Sequence, residues 1–196
     1  ISIQFFIHIS IQMSTIERQL AVRQALQSGP ATGRELASVL DLSQASTSRV
    51  LSSMGDELLK IGRSSSIQYL LRDASRAQLA ATVHRVDAHG QVQPVGQLVP
   101  VLGGGFVLVE AGLSTHSDSL PWWLFDMRPQ GYLGRAYCRQ HSASLGLPAN
   151  LSEWQDGHVM TALQHHGVDL AGNLLLGDKA LLQFANTPVP QPIARA

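Results

Sequence analysis

Three stretches near the start of the chain carry apolar residues at helical spacing, each behind a capping residue. Ser14 with Glu17 three positions on is a capping box, the hydroxyl satisfying orphan N–H groups and the carboxylate reaching back. Leu20, Val22, Ala25 and Leu26 follow, and Ser28-Gly29-Pro30 stops the helix. Thr32 and Glu35 repeat the box ahead of Leu36, Ala37 and Leu40. A third helix begins at Ser43, reached through a tight Asp41-Leu42 corner. Thr47, Val50, Leu51 and Met54 share one side of it and must pack inward.

After Gly55 the period changes from helical to alternating. Leu59 and Ile61 predict one short strand, and Ile67, Tyr69 and Leu71 another. Between them lies a turn-rich tip, Gly62-Arg63-Ser64-Ser65-Ser66. Three short helices followed by a hairpin is the layout of a winged helix-turn-helix. Asp73 to Gln78 is polar and reads as a short link.

The remainder predicts strands over Ala81–Val86 and Val92–Val101, joined by the turn Asp87-Ala88-His89-Gly90. Gly103-Gly104-Gly105 leads into a third strand, Phe106 to Glu110, so an antiparallel sheet is expected. The triple glycine lacks the Gly-Lys-Ser/Thr ending and precedes a strand, which makes it a turn and not a phosphate loop. Beyond a polar loop at Ser114–Ser119, the run Leu120-Pro121-Trp122-Trp123-Leu124-Phe125 is helical and aromatic, with the tryptophans expected in the core. A turn at Arg128-Pro129-Gln130-Gly131 precedes Tyr132 to Tyr137. Ser152-Glu153-Trp154-Gln155 reads as a further capping box, opening a helix that ends at Gly167. His158, His165 and His166 lie on or near that helix and are read as solvated or capping residues. No carboxylate or cysteine completes a metal-ligand spacing, so no metal site is assigned.

Charge and composition narrow the function. Fourteen Lys+Arg balance fourteen Asp+Glu, which excludes a basic protein that coats nucleic acid indiscriminately. The balance is uneven, since basic residues outnumber acidic ones from Met13 to Arg76 and the reverse holds afterwards. The lone Cys138 permits no intramolecular disulfide and no Cys-x-x-Cys site, and it reads as a small packing residue in a reducing cytoplasm. Ile1 to Gln12 is apolar, too short to span a bilayer and without a basic leader, so no membrane partner is expected. It reads as a non-native or disordered extension ahead of Met13.

The candidate chemistry sits on the third helix. Opposite its apolar side lie Ala45, Ser48, Arg49 and Ser52, with Gln44, Ser46 and Ser53 on the flanks. Small residues permit close approach to a major groove, while Gln, Ser and Arg reach base edges and phosphates. Surface helices usually carry Glu and Lys, and this one carries neither. At the hairpin tip, Arg63, Ser64 and Ser65, with Lys60 and Arg72 nearby, would touch phosphate or the minor groove. Ser14 to Arg72 resembles the winged helix-turn-helix of bacterial transcriptional regulators, above all in Leu42-Ser43-Gln44-Ala45-Ser46-Thr47-Ser48-Arg49-Val50-Leu51. That resemblance implies double-stranded DNA as a partner, bound as a homodimer on two half-sites.

A second resemblance covers the later residues. The segment Leu120-Pro121-Trp122-Trp123-Leu124-Phe125-Asp126-Met127-Arg128-Pro129-Gln130-Gly131-Tyr132-Leu133 resembles the Leu-Pro…Leu-Leu-Pro-Glu-Gly element of HipA-family toxin kinases, with Gln130 where many members have Glu. Gly167 to Asp178 is similar to the family's segment in which a helix ends in Asp-x-x-Gly-x-Leu, and the hairpin with Gly90 and Gly96-Gln97-Leu98 fits the strands that open that domain. Joined to an N-terminal helix-turn-helix, the combination is similar to the YjjJ-like branch of HipA-type regulators. The resemblance implies a serine/threonine kinase in longer relatives. Phosphoryl transfer needs a phosphate-cradling loop, a lysine, a catalytic aspartate and metal-holding Asn/Asp; no such set is found, and neither catalytic residues nor a cofactor is assigned.

The expectation is an α+β chain: residues 1–12 an extension, 13–73 a winged helix-turn-helix, 74–185 a HipA-like α+β subdomain of antiparallel strands then helices, and 186–196 a Pro-rich tail. Its expected role is transcriptional regulation in a toxin–antitoxin setting. The alternatives are a module that docks on a HipA-like kinase core, in cis or in trans, and restrains it, or the front part of an active kinase.

Overall fold

In the computed structural model, which describes residues 14–63 and 66–187, helix α1 spans Thr15–Ala25 behind the Ser14–Glu17 capping box. The readings of residues 1–12 and of 188–196 lie outside the described residues. Strand β1 (Ala31–Thr32) leads into α2 (Gly33–Leu40), which starts on the Thr32–Glu35 box and ends at Asp41 in the left-handed region, φ 50°. Helix α3 (Gln44–Ser53) is capped by Ser43, whose Oγ accepts from the Ser46 N–H. Strands β2 (Leu58–Ile61) and β3 (Gln68–Leu71) pair antiparallel, and β1 adds on the far side of β3 to give the order β1-β3-β2.

The three helices and β3 close over Val22, Leu26, Leu36, Leu40, Val50, Leu51, Met54 and Leu71. Removing each such side chain from water contributes roughly 1.5–3 kcal/mol against the cost of ordering these short helices. Leu20, part of the apolar run on α1, is half exposed. Arg23 of α1 grips Glu57 at both carboxylate oxygens, 2.9 Å each, and so ties the first helix to the foot of the hairpin.

The second sheet is antiparallel throughout, in the order β7-β6-β5-β4-β8: β4 Ala81–Val86, β5 Val92–Pro100, β6 Phe106–Glu110, β7 Leu113–Ser117 and β8 Leu174–Leu176. The stretch expected to be a polar loop from Ser114 is largely strand β7, paired with β6 across the turn at Gly112. No residue of this strand is fully buried, so neither of its faces demands apolar alternation. Gly103, Gly104 and Gly105 form the expected turn, all at positive φ. A Cβ on Gly105 would lie 2.0 Å from the Ser117 carbonyl oxygen, so glycine is obligatory there.

Helices α4 (Gly131–Leu145), α5 (Asp156–His166) and α6 (Gly177–Asn186) complete this half. The cap of α5 is Gln155 with His158, not the Ser152–Gln155 box, and Leu151–Glu153 is a separate 3-10 turn. Trp154 is buried ahead of the helix, its indole donating to the Pro148 carbonyl. The tryptophan pair divides: Trp123 packs against the core, but Trp122 stands 77% exposed. Cys138 is a buried free thiol, as its packing role requires. Among the described residues no helix is long and apolar enough to cross a membrane.

The link is not slack. Ala74–Leu79 is 3-10 helical, capped by Asp73, and Arg76 bonds both the Asp73 carboxylate and the Val101 carbonyl. Beside it Leu59 and Leu70 of the hairpin bury themselves against Val99, Val101 and Val107 of the large sheet. The two sheets therefore share an apolar seam.

Candidate nucleic-acid interface

The caps decide how α3 is presented. With Thr47, Val50 and Leu51 buried beneath it, the helical period turns Ala45, Ser48, Arg49 and Ser52 outward, and all four are exposed. Gln44 is exposed as well. The flanking serines are otherwise engaged. The Ser46 hydroxyl lies 3.1 Å from that of Ser43, and Ser53 Oγ donates to the Val50 carbonyl while accepting from Gln19 of α1. Of the residues read from the helical wheel, Gln44, Ala45, Ser48, Arg49 and Ser52 thus form one outward strip, while Ser46 is half-buried and Ser53 is exposed with its hydroxyl engaged.

An open groove of about 680 Å³ runs alongside this strip, lined by Gly33, Arg34 and Glu35 of α2, Gln44 and Ser48 of α3, and Ile67 and Tyr69 of the hairpin. Arg34 and Tyr69 escaped the sequence reading. The available signal was the capping box itself: it places Arg34 in the first turn of α2, where the positive end of the helix dipole and unpaired N–H groups favour an anion. Glu35 is exposed but committed, since its carboxylate accepts from the Thr32 N–H and hydroxyl, and those bonds hold its pKa below the ordinary value.

At the tip, Arg63 is exposed and its carbonyl accepts from the Ser66 N–H and hydroxyl. Gly62 has φ 81°, and a Cβ there would meet the Ser66 carbonyl oxygen at 2.5 Å. Ser64 and Ser65 lie outside the described residues. Lys60 pairs with Tyr69 across the hairpin and holds its ammonium 5.9 Å from the ring centroid. Arg72 does not join this group. It bridges to Val101 at the foot of the hairpin, with its Nε buried, because the backbone pairing that closes the seam draws it inward. Among the described residues the side chains of Arg34, Arg49 and Arg63 make no hydrogen bond or ion pair.

The histidines separate by position. His158 Nδ1 accepts from the Gln155 N–H as a cap, and His165 contacts the Thr161 carbonyl and Lys179. His166 turns instead toward His141 and Asp169, so a carboxylate does join the histidines, from beyond the end of α5. Burial, and then the neighbouring His141, hold the His166 imidazole below its usual pKa.

Comparison with known proteins gives a family match over the second half and a relative matched over most of the chain. The family model described as the YjjJ-like toxin middle domain matches residues 77–185. Toxin YjjJ of Escherichia coli (strain K12) is similar to this chain, at 33% identity over 155 residues, which cover 78% of the chain and 35% of that relative. The chain thus spans about a third of the length of the curated relative it matches. No solved structure matches it. On the middle-domain match, which takes in more than half of its length, the chain belongs to the YjjJ-like toxin family.

Proposed function

We propose that residues 14–73 are a winged helix-turn-helix that binds double-stranded DNA, and that the chain is the DNA-binding, non-catalytic part of a HipA-like serine/threonine kinase toxin acting in the cytoplasm. One observation carries the reading: the α3 strip of Gln44, Ala45, Ser48, Arg49 and Ser52 is exposed, free of acidic residues, and borders a groove also lined by Arg34 and by Glu35, whose carboxylate is taken up by Thr32. Small side chains let the helix sit deep, Arg49 and Gln44 reach base edges, and Arg34, Lys60 and Arg63 supply phosphate contacts. A second copy of the chain on a two-fold-related half-site is the natural dimeric arrangement.

Selection from random duplexes tests this. Enrichment of one motif, lost with Arg49→Ala, supports the reading; equal retention of all duplexes at moderate salt sinks it.

A second reading rests on a different surface. Trp122, Phe125, Tyr132 and Leu133 are all exposed around the turn before α4. Four exposed apolar side chains of that size within twelve residues favour a protein partner, which supports an interaction module that docks on a kinase core in cis or in trans.

A further inference from the structure

The contact between α4 and the end of α5 brings together three side chains that the DNA-binding strip does not use. His141 of α4, His166 at the last position of α5 and Asp169 of the following 3-10 turn each offer a ligand atom, all within 4.8 Å of one another. Asp169 Oδ2 stands 3.8 Å from His141 Nε2 and 4.0 Å from His166 Nδ1. Neither separation is a hydrogen bond; a charge-assisted imidazole–carboxylate contact closes to about 2.7–2.9 Å. The two imidazoles stack with centroids 4.2 Å apart, and the Tyr137 ring lies 4.6 Å from that of His141. Their side chains are mostly covered, at 12% and 28% exposed, whereas Asp169 is 52% exposed. Two nitrogens are thus held from the protein side, with the carboxylate at the solvent edge.

We propose that His141, His166 and Asp169 bind one divalent transition-metal ion of the zinc type, leaving a coordination position open to water. Imidazole and carboxylate together suit zinc and its neighbours, while calcium and magnesium require more oxygen ligands. Tetrahedral ligands at about 2.0–2.1 Å from zinc stand roughly 3.4 Å apart, so the two carboxylate–imidazole pairs need draw in by only about half an ångström. The half-exposed Asp169 has the freedom to do so, and the two rings must turn their nitrogens toward it. Gln183 of α6 borders the same ring: its Nε2 lies 3.5 Å from His166 Nδ1, a contact the ion would replace, and its buried Oε1 has no partner. Cys138 takes no part, its thiol facing the Pro148 and Ala149 carbonyls. A bound ion would pin α4 to the end of α5.

Cobalt(II) titration of the metal-stripped 196-residue chain, followed by visible absorption, tests the site. The expected result is one equivalent of bound cobalt with the intense bands of a low-coordinate site, displaced by zinc. His141→Ala and Asp169→Asn should each abolish the bands or weaken binding at least about tenfold, while His89→Ala, in the exposed turn after β4, should change nothing. Asp169→Asn alters an exposed group, so it carries the test if the His141 variant misfolds. Absence of the bands in the unaltered chain, their survival in Asp169→Asn, or their loss in His89→Ala would each overturn the proposal.

Discussion

Asp73 Oδ2 accepts from Arg76 Nε at 2.6 Å, and the same guanidinium donates through Nη2 to the Val101 carbonyl at 2.6 Å. One arginine therefore fastens the segment between the two sheets to the larger of them. Arg76→Ala leaves a buried carboxylate and a carbonyl without this donor. It should lower unfolding free energy by about 2–3 kcal/mol, seen as an earlier urea midpoint at unchanged slope. A loss within about 0.5 kcal/mol, the range of an ordinary surface change, would refute the role given to the clasp.

Acid should act through the same pair. Burial pushes the Asp73 carboxyl up, but the Ser75 hydroxyl and the Arg76 guanidinium together pull harder, so its pKa lies below the ordinary value. The unfolded chain protonates this group near its ordinary pKa of about 3.9. Its stabilising contribution is thus complete well above pH 4 and lost as pH falls through the lower, folded value. Asp73→Asn should be less stable at pH 7 and should flatten the decline in stability below about pH 4. Parallel acid limbs in the two proteins would contradict this.

Arg49 is the longest and only charged side chain on the outward strip of α3. Arg49→Ala should weaken binding to a selected duplex by about 1–3 kcal/mol and relax sequence preference at one base pair. Unchanged affinity in a gel-shift titration of a folded variant would remove Arg49 from the interface.

Arg63 sits on a hairpin tip with too little rigid surface to read bases. Arg63→Ala should weaken specific and non-specific duplexes alike and flatten the slope of log affinity against log salt by about one unit. If the slope stays and sequence preference vanishes, the hairpin is the reader and α3 the anchor.

What could be read from the residues follows how local the signals are. Helices α1 to α3 were legible because Ser14, Thr32 and Ser43 announce them within one turn, and the inward set Thr47, Val50, Leu51 and Met54 is buried as the helical period requires. Strand β7 was hidden, since Leu-Ser-Thr-His-Ser carries no apolar alternation and exists through its pairing with β6. Strand β8 is three leucines that pair with β4 from some ninety residues away, a relationship no local pattern encodes. The cap of α5 was misplaced by one turn because Ser152 and Asn150 satisfy each other in a separate 3-10 turn. On the candidate interface, the outward strip of α3 was legible and Arg34 was not, because its place beside that strip depends on how α2 packs across α3. His141 and Asp169 likewise meet His166 only through the docking of α4.

The seam of Leu59 and Leu70 against Val99, Val101 and Val107 has a mechanical consequence. A hairpin mounted on a flexible tether would swing on nanosecond-to-microsecond timescales and lose that freedom anew at every encounter. Here its apolar face is welded to a five-stranded sheet, so its heading is set when the chain folds. A push on the large sheet, from whatever docks there, would reach the base of the hairpin through Leu59 and Leu70. Loosening the seam by one buried methyl would unsteady the aim of the hairpin while leaving every residue on the α3 strip untouched.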